Sequence, residues 1–361
     1  MQDYSFRGVP CPKEEATTRC WGVTEAKGNL RRLYFKLQPL MDHEVRLKVL
    51  YCGLCHTDYS KVEEELGKNY LYPLVPGHEV VGEVEIAGPL VKGFKPGDIV
   101  TYGPFRDCCG CCEFCTKGKD HLCEEVPYKS TNDPHIGGFS THMNVNSKFL
   151  FHLPSKIPAS RAAPIMCAGV SVFAPLKKWG SPGLRCGIVG IGGLGHMAVQ
   201  IANKMGMKVV AISTNRGKEK EALHLGAQEF VCSSDEPDMK RLMTRDKLDL
   251  VVNTAYVNDL TNYIAAVKPG GCFVQTAAPS ISKPVLFSNL DLVAGEKILA
   301  GSLAGSRIAV QETLKFCENF EVFPVVQTFT WSELPKAYKI LGEGTSRYRC
   351  VVDVAATFED L

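Results

Sequence analysis

The sequence has no run of about 18 apolar residues of the kind that crosses a bilayer. Its opening stretch, MQDYSFRGVPCPKEEATTRC, lacks the charged-then-apolar order of a secretion signal. The expectation is a soluble, cytoplasmic chain that engages no membrane. Excess charge is missing as well: 41 basic against 39 acidic residues leave a formal net charge of +2, mixed along the chain. That leaves no basic stripe for nucleic acid and no polybasic patch for a lipid surface. Repeats and low-complexity linkers are also absent, so no linker marks a domain boundary. With 361 residues, 45% apolar and 22% charged, the chain has ordinary globular composition and enough length for two domains.

Cysteine is what the chain has in surplus. There are 16, and six of them crowd into Cys108–Cys123. A disulfide scaffold would be a short secreted chain with cysteines spread throughout. Clustering in a reducing compartment points to thiolate–metal chemistry.

From about 18 to 155 the chain reads as short strands with Gly and Pro at the joints, as in HEVRLKVLYCG, HEVVGEVEIAG and KPGDIVTYG. This pattern predicts a β-rich, barrel-like domain. From about 184 strands and helices alternate: RCGIVG, GLGHMAVQIANKMG, KVVAIS, KEKEALHLGA, EFVCSS. That predicts a doubly wound parallel sheet and an α/β class overall. The tail from about 300 ends in a strand, YRCVVDV, that could return to the first domain.

Gly190, Gly192, Gly193, Leu194 and Gly195 belong to a Gly-x-Gly-Gly-x-Gly loop between a predicted strand and a predicted helix. Such a loop turns tightly, brings backbone amides to a pyrophosphate and aims the helix N-terminus at the anion. The following strand ends in Ser213, Thr214, Asn215, Arg216 and Lys218, with no acid until Glu219. A dinucleotide with a free ribose 2′-hydroxyl would call for Asp or Glu there. Hydroxyls and cations suit a 2′-phosphate instead, so the reading is NADP(H).

Cys109, Cys112, Cys115 and Cys123 are spaced Cys-x2-Cys-x2-Cys-x7-Cys. Four thiolates so close in sequence can close a tetrahedron around zinc and leave no open position, which makes the site structural. Cys108 and Cys111 repeat the two-residue spacing and leave the register open. The evenly spaced set is preferred and the two extras are taken as free thiols.

A second donor group is scattered through GLCHTD at 53–58, VPGHEVVGEV at 75–84 and CAGVSVFAPLKKWG at 167–180. With the cysteine lobe, GIVGIGGLGHMAVQIA, GSLAGS and RYRCVVDV, these segments resemble the zinc-containing medium-chain alcohol dehydrogenases, and most of all their cinnamyl-alcohol dehydrogenase branch. The resemblance implies a GroES-like catalytic domain over 1–160, with a structural zinc lobe at about 105–125. It also implies a Rossmann domain over 161–299, a return to the catalytic domain over 300–361, and a homodimer. It makes Cys55, His78 and Cys167 the catalytic zinc ligands, with water, substrate or Glu79 in the fourth position, and so two zinc ions per chain. Two thiolates and a neutral imidazole leave an open, electrophilic face.

The activity implied is aldehyde reduction by NADPH, on aromatic or aliphatic aldehydes. Thr57 is the first relay hydroxyl by the same resemblance, and Ser171 stands near the nicotinamide. Thr276 and Ser302 complete the cofactor set. One departure is local: Ser60 stands where the family commonly has a histidine that ends the proton relay. Serine can pass a proton but cannot store one near neutral pH. Tyr128 takes the place of a pocket tryptophan in the plant lignin enzymes. Two rival readings are an iminium or enal reductase of the same branch and a non-catalytic zinc and NADPH redox sensor.

Overall fold

The computed structural model describes residues 8–67, 70–125, 136–277 and 283–360. It divides into two compact units. One comprises Met1–Cys167, Ser306–Glu318 and Phe323–Leu361; the other comprises Ala168–Gly305 and Asn319–Val322. The chain crosses at Cys167/Ala168 and Gly305/Ser306, against the expected 160 and 300, and crosses twice more to place Asn319–Val322 in the second unit.

In the first unit, β1 (Gly8–Pro10), β2 (Thr18–Gly22) and β3 (Arg31–Leu37) form a small sheet in the order β1-β3-β2. A larger sheet begins with β4 (Glu44–Leu54), β5 (Glu79–Ala87), β6 (Ile99–Tyr102), β7 (His142–Asn146) and β8 (Leu150–His152). Strand β4 explains how the pattern becomes a site. Val45, Leu47 and Val49 alternate inward and are fully buried, as the period of two requires. The β4–β5 register then shifts between Val49 and Tyr51. Such an irregularity re-aims a strand, and beyond it Cys52, Gly53 and Leu54 are all buried.

The second unit holds β9 (Arg185–Val189), β10 (Lys208–Ser213), β11 (Glu229–Cys232), β12 (Leu248–Asn253), β13 (Val267–Gln275) and β14 (Ile298–Gly301). They pair in parallel in the order β11-β10-β9-β12-β13-β14. The near-continuous apolar runs of β9, β10 and β12 are those of strands buried on both faces. The order reverses at β9, and ligands bind at the carboxyl ends of strands at such a reversal. Two last strands, β15 (Val326–Thr330) and β16 (Arg349–Asp353), return to the larger sheet, where β16 pairs with β4.

One helical run, Ala159–Trp179, is long and apolar enough by length and composition to cross a membrane. However, 72% of its apolar window is buried inside the protein, which marks a core helix. It is interrupted at Ile165–Gly169 by a wider π-type turn directly after Pro164. Such turns gather at functional positions. Cys167 sits in this one.

Candidate active site and metal centres

Cys55 follows the end of β4 and caps the helix His56–Val62. The Asp58 carboxylate lies at the third position of that helix and accepts from the Cys55 backbone N–H at 3.0 Å. Its other oxygen accepts from the Gly77 N–H at 2.9 Å and meets His78 Nδ1 at 2.9 Å. One fully buried carboxylate thus fixes the ligand-bearing helix, the turn before β5 and the imidazole ring. With Nδ1 engaged, Nε2 is left to face a metal, the arrangement in which a partner carboxylate orients a ligating histidine.

The donor atoms of Cys55, His78, Glu79 and Cys167 all lie within 4.8 Å of one another. Cys55 Sγ and Cys167 Sγ are 3.9 Å apart. A tetrahedral zinc ion about 2.3 Å from each of two thiolates sets them about 3.8 Å apart, so this pair fits the ion. The hydrogen bond with Cys167 holds Cys55 well below the ordinary thiol range, with His78 and Arg349 adding positive charge. His78 is raised to about 10: burial opposes its charge, but Asp58 and Cys55 outweigh it.

Glu79 starts β5 opposite Gly53 of β4. A Cβ at position 53 would run into the Glu79 carboxylate, so glycine is required there. One Glu79 oxygen is bonded to the buried Arg349 of β16, and the other, Oε2, has no partner among the described residues. An orphaned acceptor beside two thiols and an imidazole is what a cation would satisfy. Burial raises Glu79 to about 7 against the pull of Arg349.

Thr57 Oγ1 is 3.7 Å from Cys55 Sγ. Ser60 is turned to a different partner: its hydroxyl donates to Glu65 Oε2 at 2.6 Å, and His56 Nε2 lies 3.7 Å from that same oxygen. Lys61, one turn past Thr57, is only 5% exposed and has no hydrogen-bond or ion partner among the described residues. Burial pushes it down to about 8, and Arg106 contributes in the same direction.

The Sγ atoms of Cys109, Cys112, Cys115 and Cys123 also lie within 4.8 Å of one another, with Cys109 and Cys115 at 3.8 Å. This again is the spacing of a tetrahedral tetrathiolate. Gly110 takes a positive φ of 75°, which lets the Cys112 N–H turn onto Cys109 Sγ at 3.2 Å. Backbone N–H groups of Cys111 and Cys112 hold Cys109 down to about 6. Cys108 is buried and Cys111 exposed, and neither joins the cluster. Asp120 ties the lobe to the helix Arg307–Phe320 by accepting from the Arg307 N–H at 3.2 Å.

In the second unit the glycine loop joins β9 to the helix Gly195–Lys204. Gly190 has φ 87°, a Cβ on Gly195 would strike the Gly190 carbonyl, and a Cβ on Gly192 would meet nothing within 4 Å. The first two are fixed by the turn, and the third leaves open room above the loop for a phosphate. Thr254 donates to the carbonyls of both Val189 and Gly190 at 2.8 Å and pins the loop. Gly193 and Leu194 complete the turn into the helix, whose first turn is closed by the His196 N–H on the Gly192 carbonyl at 3.0 Å.

Ser213 ends β10, and Asn215 caps the turn Arg216–Lys218 by accepting from the Gly217 N–H at 2.8 Å. The Arg216 guanidinium is shared between Asp235 and Asp238 at 2.9 Å each, and Lys218 Nζ donates to the Ile191 carbonyl at 2.7 Å. Thr276 and Ser302 follow the last residues of β13 and β14, on the same carboxyl edge. Ser171 is buried in the helix Val170–Trp179. Tyr128 lies outside the described residues.

Residues 41–155 match the alcohol dehydrogenase GroES-like domain and residues 193–319 the zinc-binding dehydrogenase family. A probable cinnamyl alcohol dehydrogenase of Lolium perenne is 38% identical over 353 residues, 95% of this chain and 96% of that protein. The chain belongs to the zinc-containing medium-chain alcohol dehydrogenases. Its branch is the cinnamyl-alcohol dehydrogenase-like one, and it is an oxidoreductase of the alcohol and aldehyde class. A solved cinnamyl alcohol dehydrogenase of Sorghum bicolor superposes with a TM-score of 0.88 at 36% identity, covering 94% of this chain and 98% of that one. CAD from Helicobacter pylori, solved with NADP(H), gives 0.86 at 28%, covering 93% and 97%. A probable formaldehyde dehydrogenase of Bacillus subtilis is 33% identical over 346 residues, 94% of this chain and 98% of that protein.

For this family member the sequence reading left Asp58, Arg349, Lys61 and Thr254 without roles. Asp58 carried a usable signal, an acid three residues past the capping position of a short helix. The other three acquire their neighbours only through strand pairing and burial.

Proposed function

We propose that this oxidoreductase uses NADP(H), holds two zinc ions per chain and works mainly as an aldehyde reductase. The observation that carries the proposal is the convergence of Cys55, His78, Glu79 and Cys167 within 4.8 Å, with an unpartnered carboxylate oxygen among them. Bound there, zinc supplies a Lewis acid for a carbonyl, and the reduced dinucleotide supplies the hydride.

The chain's own residues do the rest. Asp58 holds His78 in the tautomer that presents Nε2. Arg349 keeps Glu79 oriented with one oxygen spare. The Thr57 hydroxyl gives a proton to the alkoxide oxygen as it forms and is resupplied in turn. Ser60 donates its hydrogen bond to Glu65, so the titratable group at that end of the relay is a carboxylate instead of an imidazole. The absence of an acid at the end of β10, together with the capped Asn215 turn, favours a 2′-phosphate. With Arg216 already paired to two aspartates, recognition falls first on Ser213, Thr214 and Asn215.

Oxidation of NADPH and of NADH by a panel of aromatic and aliphatic aldehydes tests the proposal. NADPH should be preferred by about tenfold or more, the worth of one good charge-assisted contact. A Ser60→His variant should gain a histidine limb in its pH profile, and coincident profiles would remove the relay from the proposal.

The chain is also proposed to form a homodimer through the open edge of its parallel sheet. Strand β14 ends the sheet with Ile298 41% and Leu299 37% exposed, and on the helix Asn289–Ala294 that precedes it Leu290 is 75% and Val293 74% exposed. An uncovered apolar strand edge is a template for pairing.

A further inference from the structure

In the first unit, a cleft of about 410 Å³ opens over the small sheet, away from the metal-binding residues. Lys13, Arg19, Arg32, Tyr34, Trp331 and Ser332 line it, and among the described residues no lining residue is acidic. The β2–β3 register sets Arg19 opposite Tyr34 and Trp21 opposite Arg32. Side chains two apart on a strand share a face, so the four form a checkerboard with arginines on one diagonal and aromatic rings on the other. Diagonal neighbours stand about 7–8 Å apart, close enough for both guanidiniums to reach one small anion. The Arg32 guanidinium lies 5.5 Å from the Trp21 ring centroid, and Trp21 Nε1 donates to the Trp331 carbonyl at 3.0 Å. Neither arginine has an ion-pair partner among the described residues. The nearest acid on the adjoining turn, Glu333, is occupied by Thr330 and Lys336.

Three like charges around one cavity repel each other in the free protein. An anion relieves that repulsion, and arginine binds carboxylate oxygens in bidentate fashion. Tyr34, half-buried where it lines the cleft beside Trp331, offers a ring against which an aromatic ligand can lie. We propose that this cleft is a second ligand site that takes a small aryl carboxylate, with the acid on Arg19 and Arg32 and the ring against Tyr34 and Trp331. The site is independent of the reaction proposed above.

Calorimetric titration of the full chain with benzoate, benzyl alcohol and inorganic phosphate separates the two halves of this recognition. In the binding that depends on Arg19 and Arg32, benzoate should be at least about tenfold tighter than either of the others, which also have the reaction and cofactor sites to bind. An Arg19→Ala/Arg32→Ala variant should lose about tenfold or more of the benzoate affinity, while its NADPH oxidation with an aldehyde stays at the wild-type level. If the double variant does not fold, Arg32→Gln alone, at an exposed position, should weaken benzoate by several-fold. Undiminished benzoate binding in a folded variant would overturn the proposal, and so would a loss of phosphate or benzyl alcohol affinity in that variant as large as the loss for benzoate.

Discussion

Asp58 shows how much one residue can hold together. Its two oxygens serve the Cys55 N–H, the Gly77 N–H and His78 Nδ1, so the ligand loop, the next strand and the imidazole share a single buried anchor. Asp58→Asn keeps the shape but offers an amide where acceptance is needed. We expect it to weaken zinc retention by about 10–100-fold, as loss of such supporting partners does, measured as residual metal after dialysis against a graded chelator series. Lys61 makes the opposite case, a buried cation with no hydrogen-bond or ion partner among the described residues, its burial only partly offset by the Asp58 charge. Its pKa falls from 10.5 to about 8, so between those values the unfolded chain binds the extra proton and stability rises with pH. At pH 7 both states are protonated and the penalty is present in full, about 3 kcal/mol at about 1.4 kcal/mol per pKa unit. Lys61→Met should therefore stabilise the protein in urea denaturation at pH 7, and the gain should shrink as pH rises from 8 toward 10.5. A gain equal at both ends would show that burial of the charge is not the cause. The side chains that gather at the candidate metal centre were legible because Cys and His in those motifs have few other uses. Asp58 and Lys61 were not, since their meaning depends on what the fold places beside them.

Among elements, the cysteine lobe was the most legible, because its four donors and their turn glycine are local in sequence. Of the six cysteines, Cys109, Cys112, Cys115 and Cys123 gather and Cys108 and Cys111 do not: Gly110 turns the backbone N–H groups onto Cys109, while Cys111 is left facing solvent. Cys111→Ser is expected to leave zinc content and melting temperature unchanged. Cys112→Ser should cost close to one zinc per chain and lower the melting temperature, because structural zinc sites contribute folding energy directly; equal effects of the two would reverse the register. The scattered second site was harder. Reading β4 by its period of two does not reveal that the register shift after Val49 delivers Cys55 to the site, nor that Pro164 precedes a π-type turn carrying Cys167. In the nucleotide unit the glycine loop and strand order follow from the sequence. The engagement of Arg216 by Asp235 and Asp238 does not, because those acids lie on a later turn and helix.

For the molecule as a whole, alternation of strands and helices separated a β-rich part from a parallel α/β part, and the chain's last strand does rejoin the first sheet through β16. Surface behaviour was not legible, because an exposed leucine in a sequence looks like a buried one. Leu290→Asp/Val293→Asp, on the helix that precedes β14, should yield a monomer by light scattering where the parent is expected to be a dimer, with the fold unchanged by circular dichroism. A dimer that persists would move the interface elsewhere. The account as a whole turns on one ion held by residues far apart in the chain. An anomalous difference map recorded at the zinc edge from metal-replete crystals should show a peak about 2.3 Å from Cys55 Sγ and Cys167 Sγ and about 2.0–2.1 Å from His78 Nε2. A map with the peak of the four-cysteine lobe present and nothing between those three side chains would contradict it.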